Sequence, residues 1–161
     1  MAKSYDAMTE EGEKTMKVYK AMTSHPISIG PMEPVATAAR LMKRHNLGAL
    51  PVCDEQGRLR GILTDRDIVV RGVAADLDPA DTPVRELMSR GICSRGAGEE
   101  LADAMACMRR EQLRRLPVLE DGRRVGIVSL NDLLRAEDCR MEAAAALSDI
   151  SSNVRRPPAE K

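Results

Sequence analysis

Aromatic side chains are nearly missing from this chain, and their scarcity narrows the functions it can have. The 161 residues include no Phe and no Trp, and Tyr occurs only as Tyr5 and Tyr19. Proteins that bind single-stranded nucleic acid stack bases on such rings, so general nucleic-acid binding is disfavoured. The core is expected to be aliphatic, with ten Met side chains available to fill irregular gaps.

The chain also lacks a net charge and a long apolar run. Lys plus Arg equals Asp plus Glu at 25 each, so no overall field attracts nucleic acid or anionic lipid. No stretch approaches the roughly 18 apolar residues needed to span a bilayer, and residues 1–6 carry no apolar signal core. We therefore expect a cytoplasmic protein without a nucleic-acid or membrane partner.

Motifs for metal binding, redox chemistry and catalysis are absent from the cysteine and histidine pattern. The four cysteines are far apart and form no C-x-x-C pair: Cys53, Cys93, Cys107 and Cys139. The only histidines, His25 and His45, have no carboxylate or cysteine at catalytic or zinc-finger spacing. The pattern predicts four reduced, mostly structural cysteines, no metal site, no catalytic residue and no required cofactor.

What the chain does have is an internal duplication, which decides architecture before individual elements are assigned. The block Leu50-Pro51-Val52 recurs 66 residues later as Leu116-Pro117-Val118. After the next turn, Gly61-Ile62-Leu63-Thr64 recurs 65 residues later as Gly126-Ile127-Val128-Ser129. The offset changes by one because a residue is missing from one hairpin, where length changes are tolerated.

Each copy predicts the element order β-α-β-β-α. Apolar residues recur at helical spacing in both copies: Val35, Ala38, Ala39 and Met42, then Leu101, Ala104, Met105 and Met108. Two short strands joined by a Gly-containing turn follow each helix. A closing helix is expected over 65 to about 73 and over 130 to about 147, and a short strand near 27–29 or 93–95 opens each copy.

The pattern divides the chain into five segments. We expect a flexible N-terminal extension (1–17), a first repeat (18–75), a linker rich in Pro and Asp (76–83), a second repeat (84–138), and the end of the last helix with a loose tail (139–161). Within the linker, Thr82-Pro83 is expected to cap and start a short helix.

Each copy contains Leu-Pro-Val, a turn and the pattern G-h-h-[ST]-x-x-D, in which h is an aliphatic residue. Two such copies resemble the CBS (cystathionine-β-synthase-type) domain pair. The resemblance covers nearly all of residues 18–138, and the runs 45–52 and 61–68 are similar to stand-alone bacterial proteins of the hypoxic-response class. It implies an α/β fold in which tandem repeats form a pseudo-twofold CBS pair, or Bateman module. Such pairs are often dimeric, with clefts that bind AMP, ADP, ATP or S-adenosylmethionine.

The strongest candidate ligand residues lie where a strand turns into a helix. At Thr64-x-x-Asp67 and Ser129-x-x-Asp132, free backbone N–H groups are expected beside a hydroxyl and a carboxylate, which suits a ribose phosphate. The resemblance implies that the Asp holds the ribose hydroxyls. The same [ST]-x-x-[DE] spacing is also a capping box that only starts a helix, and both interpretations stay open.

Further positions match those that line the adenine slot and the phosphate site of the family. The slot positions are Ile27, Ser28, Pro51 and Ile62 in the first copy, and Cys93, Ser94, Pro117 and Ile127 in the second; ordinary core packing accounts for each equally well. Arg115, with Arg114 beside it, matches an arginine that binds ligand in some relatives, whereas the first copy has Ala49. The two clefts are therefore expected to differ, unless the arginines are merely solvated.

These features predict a regulatory protein that binds an adenine nucleotide or related adenosyl ligand, catalyses no reaction, and signals to a partner protein or across a homodimer. The alternative is a ligand-free module that dimerises or docks on an enzyme. An enzyme or metal-binding redox protein fits worst, because the duplicated pattern gathers no cluster of Cys, His or carboxylates.

Overall fold

The computed structural model describes residues 16–135 and 140–152. The expected loose ends therefore lie mostly outside the described residues, as do residues 136–139, over which the second closing helix was expected to run. The chain forms two compact units that do not follow chain order. Unit 1 comprises the described residues up to 24, residues 93–119 and those from 126 onward, whereas unit 2 comprises residues 25–92 and 120–125.

Helices and strands alternate along both copies. In chain order they are α1 (Val18–Ala21), β1 (Thr23–Ser24), α2 (Val35–His45), β2 (Ala49–Cys53), β3 (Leu59–Thr64), α3 (Asp65–Asp67), α4 (Val84–Leu87), β4 (Arg95–Gly96), α5 (Leu101–Arg110), β5 (Arg115–Glu120), β6 (Arg123–Ser129), α6 (Leu130–Arg135) and α7 (Arg140–Ser152). A π-helical turn (Ile68–Gly72) and a 3₁₀ turn (Val73–Ala75) follow α3.

Unit 2 is built on the antiparallel hairpin of β2 and β3, in which Pro51 lies opposite Ile62. Ile29 extends this sheet on one side through a parallel bridge to Val52, and Ser89 extends it on the other through an antiparallel bridge to Ile62. Helix α2 packs its apolar side on the sheet. The resulting core contains Ile29, Val35, Ala38, Met42, Leu50, Val52, Leu63, Val84, Leu87 and Met88.

Unit 1 repeats this arrangement with four strands in the order β1-β6-β5-β4. Thr23 of β1 pairs with Ile127 just as Ser89 pairs with Ile62 in unit 2. The leading segment of each copy therefore completes the sheet of the other copy, which is one reason why the units do not follow chain order. Helices α5, α6 and α7 cover the unit 1 core, which includes Val18, Leu101, Met108, Leu116, Val118, Val128, Leu133, Ala143 and Ala146.

The predicted amphipathic helices and hairpins are confirmed, with local corrections. Val35, Ala38 and Met42 are buried as expected, but Ala39 is exposed because it turns away from the sheet. The first closing helix is only one α-helical turn followed by π and 3₁₀ turns. Thr82 does not cap α4: its hydroxyl donates to the Asp78 carbonyl at 2.7 Å, and Pro83 stands at the cap position.

The prediction that all four cysteines are reduced is wrong for two of them. Cys93 and Cys107 form a disulfide that closes a 14-residue separation within unit 1. Cys107 is buried on α5, whereas Cys93 lies two residues before β4, so the two sulfur atoms meet through the fold rather than through sequence spacing. Cys53 is a free, buried cysteine.

Candidate functional site

In unit 2, the Thr64–Asp67 corner forms a complete capping box. Thr64 has an extended backbone, and its hydroxyl accepts from the Asp67 N–H at 3.1 Å. One oxygen of the Asp67 carboxylate accepts from the Thr64 N–H at 2.9 Å and from its hydroxyl at 2.6 Å. The motif therefore caps the helix, and this cap uses one of the two oxygens of the Asp67 carboxylate.

The Ser129–Asp132 corner of unit 1 repeats these bonds. One Asp132 oxygen accepts from the Ser129 N–H at 2.8 Å and from the Ser129 hydroxyl at 2.6 Å. The Asp132 N–H donates to that hydroxyl at 3.2 Å. A capping box restricts the orientation of the carboxylate at the start of α6, so ligand binding to the second oxygen costs less side-chain entropy than it would at an unrestrained acid.

The two corners differ in the residue that lies four positions after the acid. In unit 2 the Arg71 guanidinium lies 3.7 Å from the second Asp67 oxygen, and Arg71 also donates to the Leu87 carbonyl at 3.0 Å. Asp67 is thus tied into the packing of its own unit, with its side chain only 14% exposed. The residue four positions after Asp132 is Ala136, which has no charge to offer, so the duplicated acids are not equivalent.

The predicted arginines lie at the same edge of unit 1 as the Ser129–Asp132 corner. The Arg114 carbonyl accepts from the N–H of Leu130, the first residue of α6, at 3.1 Å. Arg114 is exposed and Arg115 is partly exposed at the start of β5. The equivalent bond in unit 2 joins the Asp65 N–H to the Gly48 carbonyl at 3.1 Å, where the adjoining residue is the uncharged Ala49.

The predicted slot residues are divided between the sheets of the two units. In unit 2, Pro51 and Ile62 are cross-strand partners, and both are buried. They share a sheet face with Thr64, because side chains two residues apart on a strand point the same way. The Ile62 N–H and carbonyl both bond to Ser89, so this backbone is fully engaged, whereas Ile27 and Ser28 remain partly exposed.

In unit 1, Pro117 lies on the same face of β5 as Arg115, and Ile127 on the same face of β6 as Ser129. Pro117 is buried, Ile127 is partly exposed, and Thr23 is the cross-strand partner of Ile127. Ser94 and Cys93 are partly exposed just before β4. Because the Cys93 sulfur is bonded to Cys107, Cys93 has no thiol to offer a ligand.

A second group of polar side chains, which no sequence pattern predicted, lines a cavity in unit 2: Cys53, Arg60 and Arg124. Arg124 is near Cys53 only because residues 120–125 belong to unit 2. Local periodicity carries no signal for such a contact. Within the described ranges, no three His, Cys, Asp or Glu side chains gather as they would around a metal ion, and no helix is both long and apolar enough to cross a bilayer.

Comparison with known proteins agrees with the duplicated architecture. The model of the CBS domain matches residues 18–72 and again residues 84–138. The CBS domain-containing protein YhcV of Bacillus subtilis is 42% identical over 134 residues, which cover 83% of this chain and 94% of YhcV. Hypoxic response protein 1 of Mycobacterium tuberculosis is 41% identical over 107 residues, which cover 66% of this chain and 75% of that protein.

Solved structures with the same architecture include some with bound ligands. Hypoxic Response Protein I, with two coordinated zinc ions, superposes with a TM-score of 0.70 at 38% identity, covering 74% of this chain and 98% of that one. The CBS pair of MJ0100, in complex with 5′-methylthioadenosine and S-adenosyl-L-methionine, gives 0.69 at 27% identity, covering 78% and 98%. CBSX2 in complex with AMP gives 0.66 at 25% identity, covering 74% and 94%. With two matched domains and a relative this similar over nearly its full length, the chain belongs to the CBS domain family, as a tandem pair.

Proposed function

We propose that this CBS pair is a non-catalytic regulatory module that binds an adenine nucleotide or related adenosyl ligand. The Ser129–Asp132 corner is proposed to hold the ribose hydroxyls, and Arg115, with Arg114 beside it, to hold the phosphate. The observation that carries the proposal is the capped Asp132 carboxylate, which stands at the same edge of unit 1 as these arginines. The adenosyl compounds bound by MJ0100 and CBSX2 support the ligand class.

The chemistry of the corner suits this ligand. A carboxylate accepts two vicinal hydroxyls at once, and hydrogen bonds to a charged group contribute about 1.5–3 kcal/mol. A guanidinium near the phosphate adds a bidentate contact that the Ala49 position of the other copy lacks. Sensing a ligand at about 1 μM to 0.1 mM needs only about −8 to −5.5 kcal/mol, which these contacts and a buried base supply.

A thermal-shift screen with AMP, ADP, ATP and S-adenosylmethionine tests the proposal. A ligand at 100 times its Kd stabilises the native state by about 2.7 kcal/mol, and 1 kcal/mol corresponds to about 2–4 °C for a chain of this size. We therefore expect at least one compound to raise the Tm by roughly 5 °C or more. If none of the four raises it, the ligand-free dimerisation or docking module becomes the better account.

We also propose that the chain acts as a homodimer that uses an apolar surface on unit 2. Four aliphatic side chains on the turns after α3 are exposed: Val69 by 57%, Val70 by 54%, Val73 by 65% and Leu77 by 40%. This surface, the valine patch, lies within ten residues of sequence, and contiguous exposed apolar patches of this kind mark protein interfaces. A second copy of the chain, presenting the same patch about a twofold axis, is the proposed occupant.

Replacing Val73 with Asp is expected to convert the dimer to a monomer. The side chain is exposed, so the change should leave the core intact while placing a desolvated charge in the interface. Light scattering should give twice the 17.6 kDa chain mass for the wild type and a single chain mass for Val73→Asp. Met141, 84% exposed on unit 1, provides the control: Met141→Asp should remain dimeric. A dimeric Val73→Asp would exclude the valine patch as the interface.

A further inference from the structure

The Cys93–Cys107 disulfide of unit 1 joins two residues with different surroundings. Cys107 lies in α5 and is 0% exposed, whereas Cys93 is partly exposed and precedes β4. Cys93 is also the first residue after the chain passes from unit 2 into unit 1. A reagent in the solvent therefore approaches this bond from the Cys93 side.

A guanidinium lies beside the Cys93 sulfur. Arg95 donates through Nη1 to the Cys93 Sγ at 3.6 Å and to the Ser94 carbonyl at 2.9 Å. Glu99 holds this arginine in place: one of its oxygens lies 3.4 Å from Arg95 Nε, and the other accepts from the Gly96 N–H at 2.7 Å. A neighbouring cation stabilises a thiolate, which is the form of cysteine that reacts with oxidants and disulfides. When the bond is open, Cys93 is therefore the reactive member of the pair.

Cys53 of unit 2 has the opposite environment. It is a free cysteine, 7% exposed, and burial raises the pKa of its thiol, a rise that Arg124 offsets only in part. A buried, protonated thiol is inert. Cysteines that sense redox state combine a stabilised thiolate, access to solvent and a second cysteine that closes a disulfide. Of the three cysteines in the described ranges, Cys93 meets these conditions, with Cys107 as the second cysteine.

The disulfide also restrains one wall of the proposed adenosyl slot. Residues 91–94 belong to no helix or strand, and β4 then pairs with β5 in parallel, with Arg95 opposite Val118. The same register, carried back by one residue, places Ser94 beside Pro117, and both are predicted slot positions. Through Cys93 this segment is tied to the buried α5. A wall that is fixed before the ligand arrives lowers the ordering cost of binding.

We propose that Cys93 and Cys107 form a reversible redox switch, in which the closed disulfide holds residues 91–94 in place and reduction releases them. As a regulation of adenosyl binding, the switch rests on the function proposed above for the Ser129–Asp132 corner. Ordering one released residue costs a ligand about tenfold in affinity. The oxidised protein therefore binds adenylates about tenfold more tightly than the reduced protein.

Closing and opening the bond each transfer two electrons. A peroxide is the oxidant: the Cys93 thiolate attacks one peroxide oxygen, the O–O bond breaks, and hydroxide leaves, which gives a sulfenic acid. The Cys107 thiol then attacks the Cys93 sulfur, so the S–S bond forms and the oxygen leaves as water. A dithiol is the reductant: one thiolate attacks the Cys93 sulfur and releases Cys107, which takes up a proton. The second thiol then displaces Cys93, and the reductant leaves as a cyclic disulfide.

Peptide mass spectrometry and hydrogen–deuterium exchange test the switch without any ligand. The full chain is reduced with excess dithiothreitol and then treated with hydrogen peroxide. Trypsin cleaves after Arg90 and Arg95, so the two cysteines fall in separate peptides, 91–95 and 96–109. We expect the Cys93–Cys107 bond to open and re-form, and the amides of 91–94 to exchange about tenfold faster in the reduced protein. A bond that resists the dithiol, a different cysteine pairing, or equal exchange in both states would overturn the proposal.

Two arginine variants form a matched pair. Arg90 is exposed and donates to the Arg85 carbonyl at 3.4 Å, so Arg90→Gln should close the bond at the wild-type rate. Arg95→Gln should close it about tenfold more slowly, and Arg95→Lys, which keeps the charge, should recover most of the rate. Closure rates are followed by iodoacetamide labelling of the remaining thiols. Equal rates in Arg95→Gln and Arg90→Gln would rule out the assigned role of Arg95.

Isothermal titration of AMP and S-adenosylmethionine into the oxidised and reduced proteins tests the regulation. Binding should be about tenfold weaker after reduction. Cys93→Ser, which cannot form the bond, should bind like the reduced wild type and show no response to peroxide. Equal affinity in the two redox states would overturn the regulatory role. If neither state bound an adenosyl compound, the proposed function would fail, and the exchange of residues 91–94 would still decide whether the switch exists.

Discussion

Replacing Asp132 with Ala is expected to weaken adenylate binding by about 10- to 150-fold, which corresponds to about 1.5–3 kcal/mol. The capping box holds this carboxylate in place through Ser129, and no arginine follows four residues later to compete for its second oxygen, since that position is Ala136. Asp67→Ala should cost less affinity, because Arg71 already faces that acid and unit 2 has Ala49 in place of an arginine. Isothermal titration of both variants measures the difference.

Two further substitutions separate ligand contact from helix capping. Ser129→Ala removes the capping hydroxyl and should cost about 1 kcal/mol of stability while leaving the acid available. Asp132→Asn keeps an acceptor for the Ser129 N–H but lacks the charge, so it should fold like the wild type and bind adenylates weakly. Greater loss of affinity in Asp67→Ala than in Asp132→Ala, or unchanged affinity in both, would contradict the assignment of the ligand to the second copy.

The parts of the fold that follow a local pattern could be predicted from the sequence. Helical spacing identified α2 and α5, and the Gly-containing turns identified both hairpins, since Gly57 and Gly122 adopt positive φ angles of 76° and 75°. Ala39 was misplaced because Ala fits either face of a helix, so its apolar character does not fix its direction. The closing helix after Asp67 was predicted as continuous because the spacing of apolar residues does not distinguish α from π turns.

Long-range features had no such local signal. Neither the pairing of β1 with the second copy nor the Cys93–Cys107 disulfide follows from spacing, because both depend on which sheet a segment joins. Arg124 reaches Cys53 for the same reason. The [ST]-x-x-D motif was located correctly, yet its pattern is shared by capping and by ribose binding. The structure shows the cap in both copies. The two acids then differ in the residue four positions later in the sequence, which is Arg71 after Asp67 and Ala136 after Asp132.

Replacing Gly61 with Ala is expected to destabilise the fold. The leading segment of the second copy passes so close to β3 at this position that only glycine leaves room for it. A Cβ atom at Gly61 would lie 2.5 Å from the Ser89 carbonyl oxygen and 3.0 Å from the Met88 sulfur. That carbonyl accepts from the Ile62 N–H at 3.0 Å, and the Ser89 N–H donates back at 2.9 Å. The added methyl group therefore displaces backbone that is fixed on both sides, and we expect a loss of about 2–3 kcal/mol in the free energy of unfolding.

Gly126 provides the matched test in the other copy. A Cβ atom there would meet chiefly the Met22 side chain, with the Thr23 carbonyl oxygen at 3.2 Å. Because Met is flexible and adapts its rotamer, Gly126→Ala should cost about 1 kcal/mol or less. Gly98→Ala, with no atom within 4 Å of the new methyl group, should be neutral or slightly stabilising. Urea unfolding of the three variants checks this order. If Gly61→Ala proved as stable as Gly98→Ala, the close approach of Ser89 to β3 would not be a constraint on the fold, and glycine at the start of G-h-h-[ST] would need another explanation.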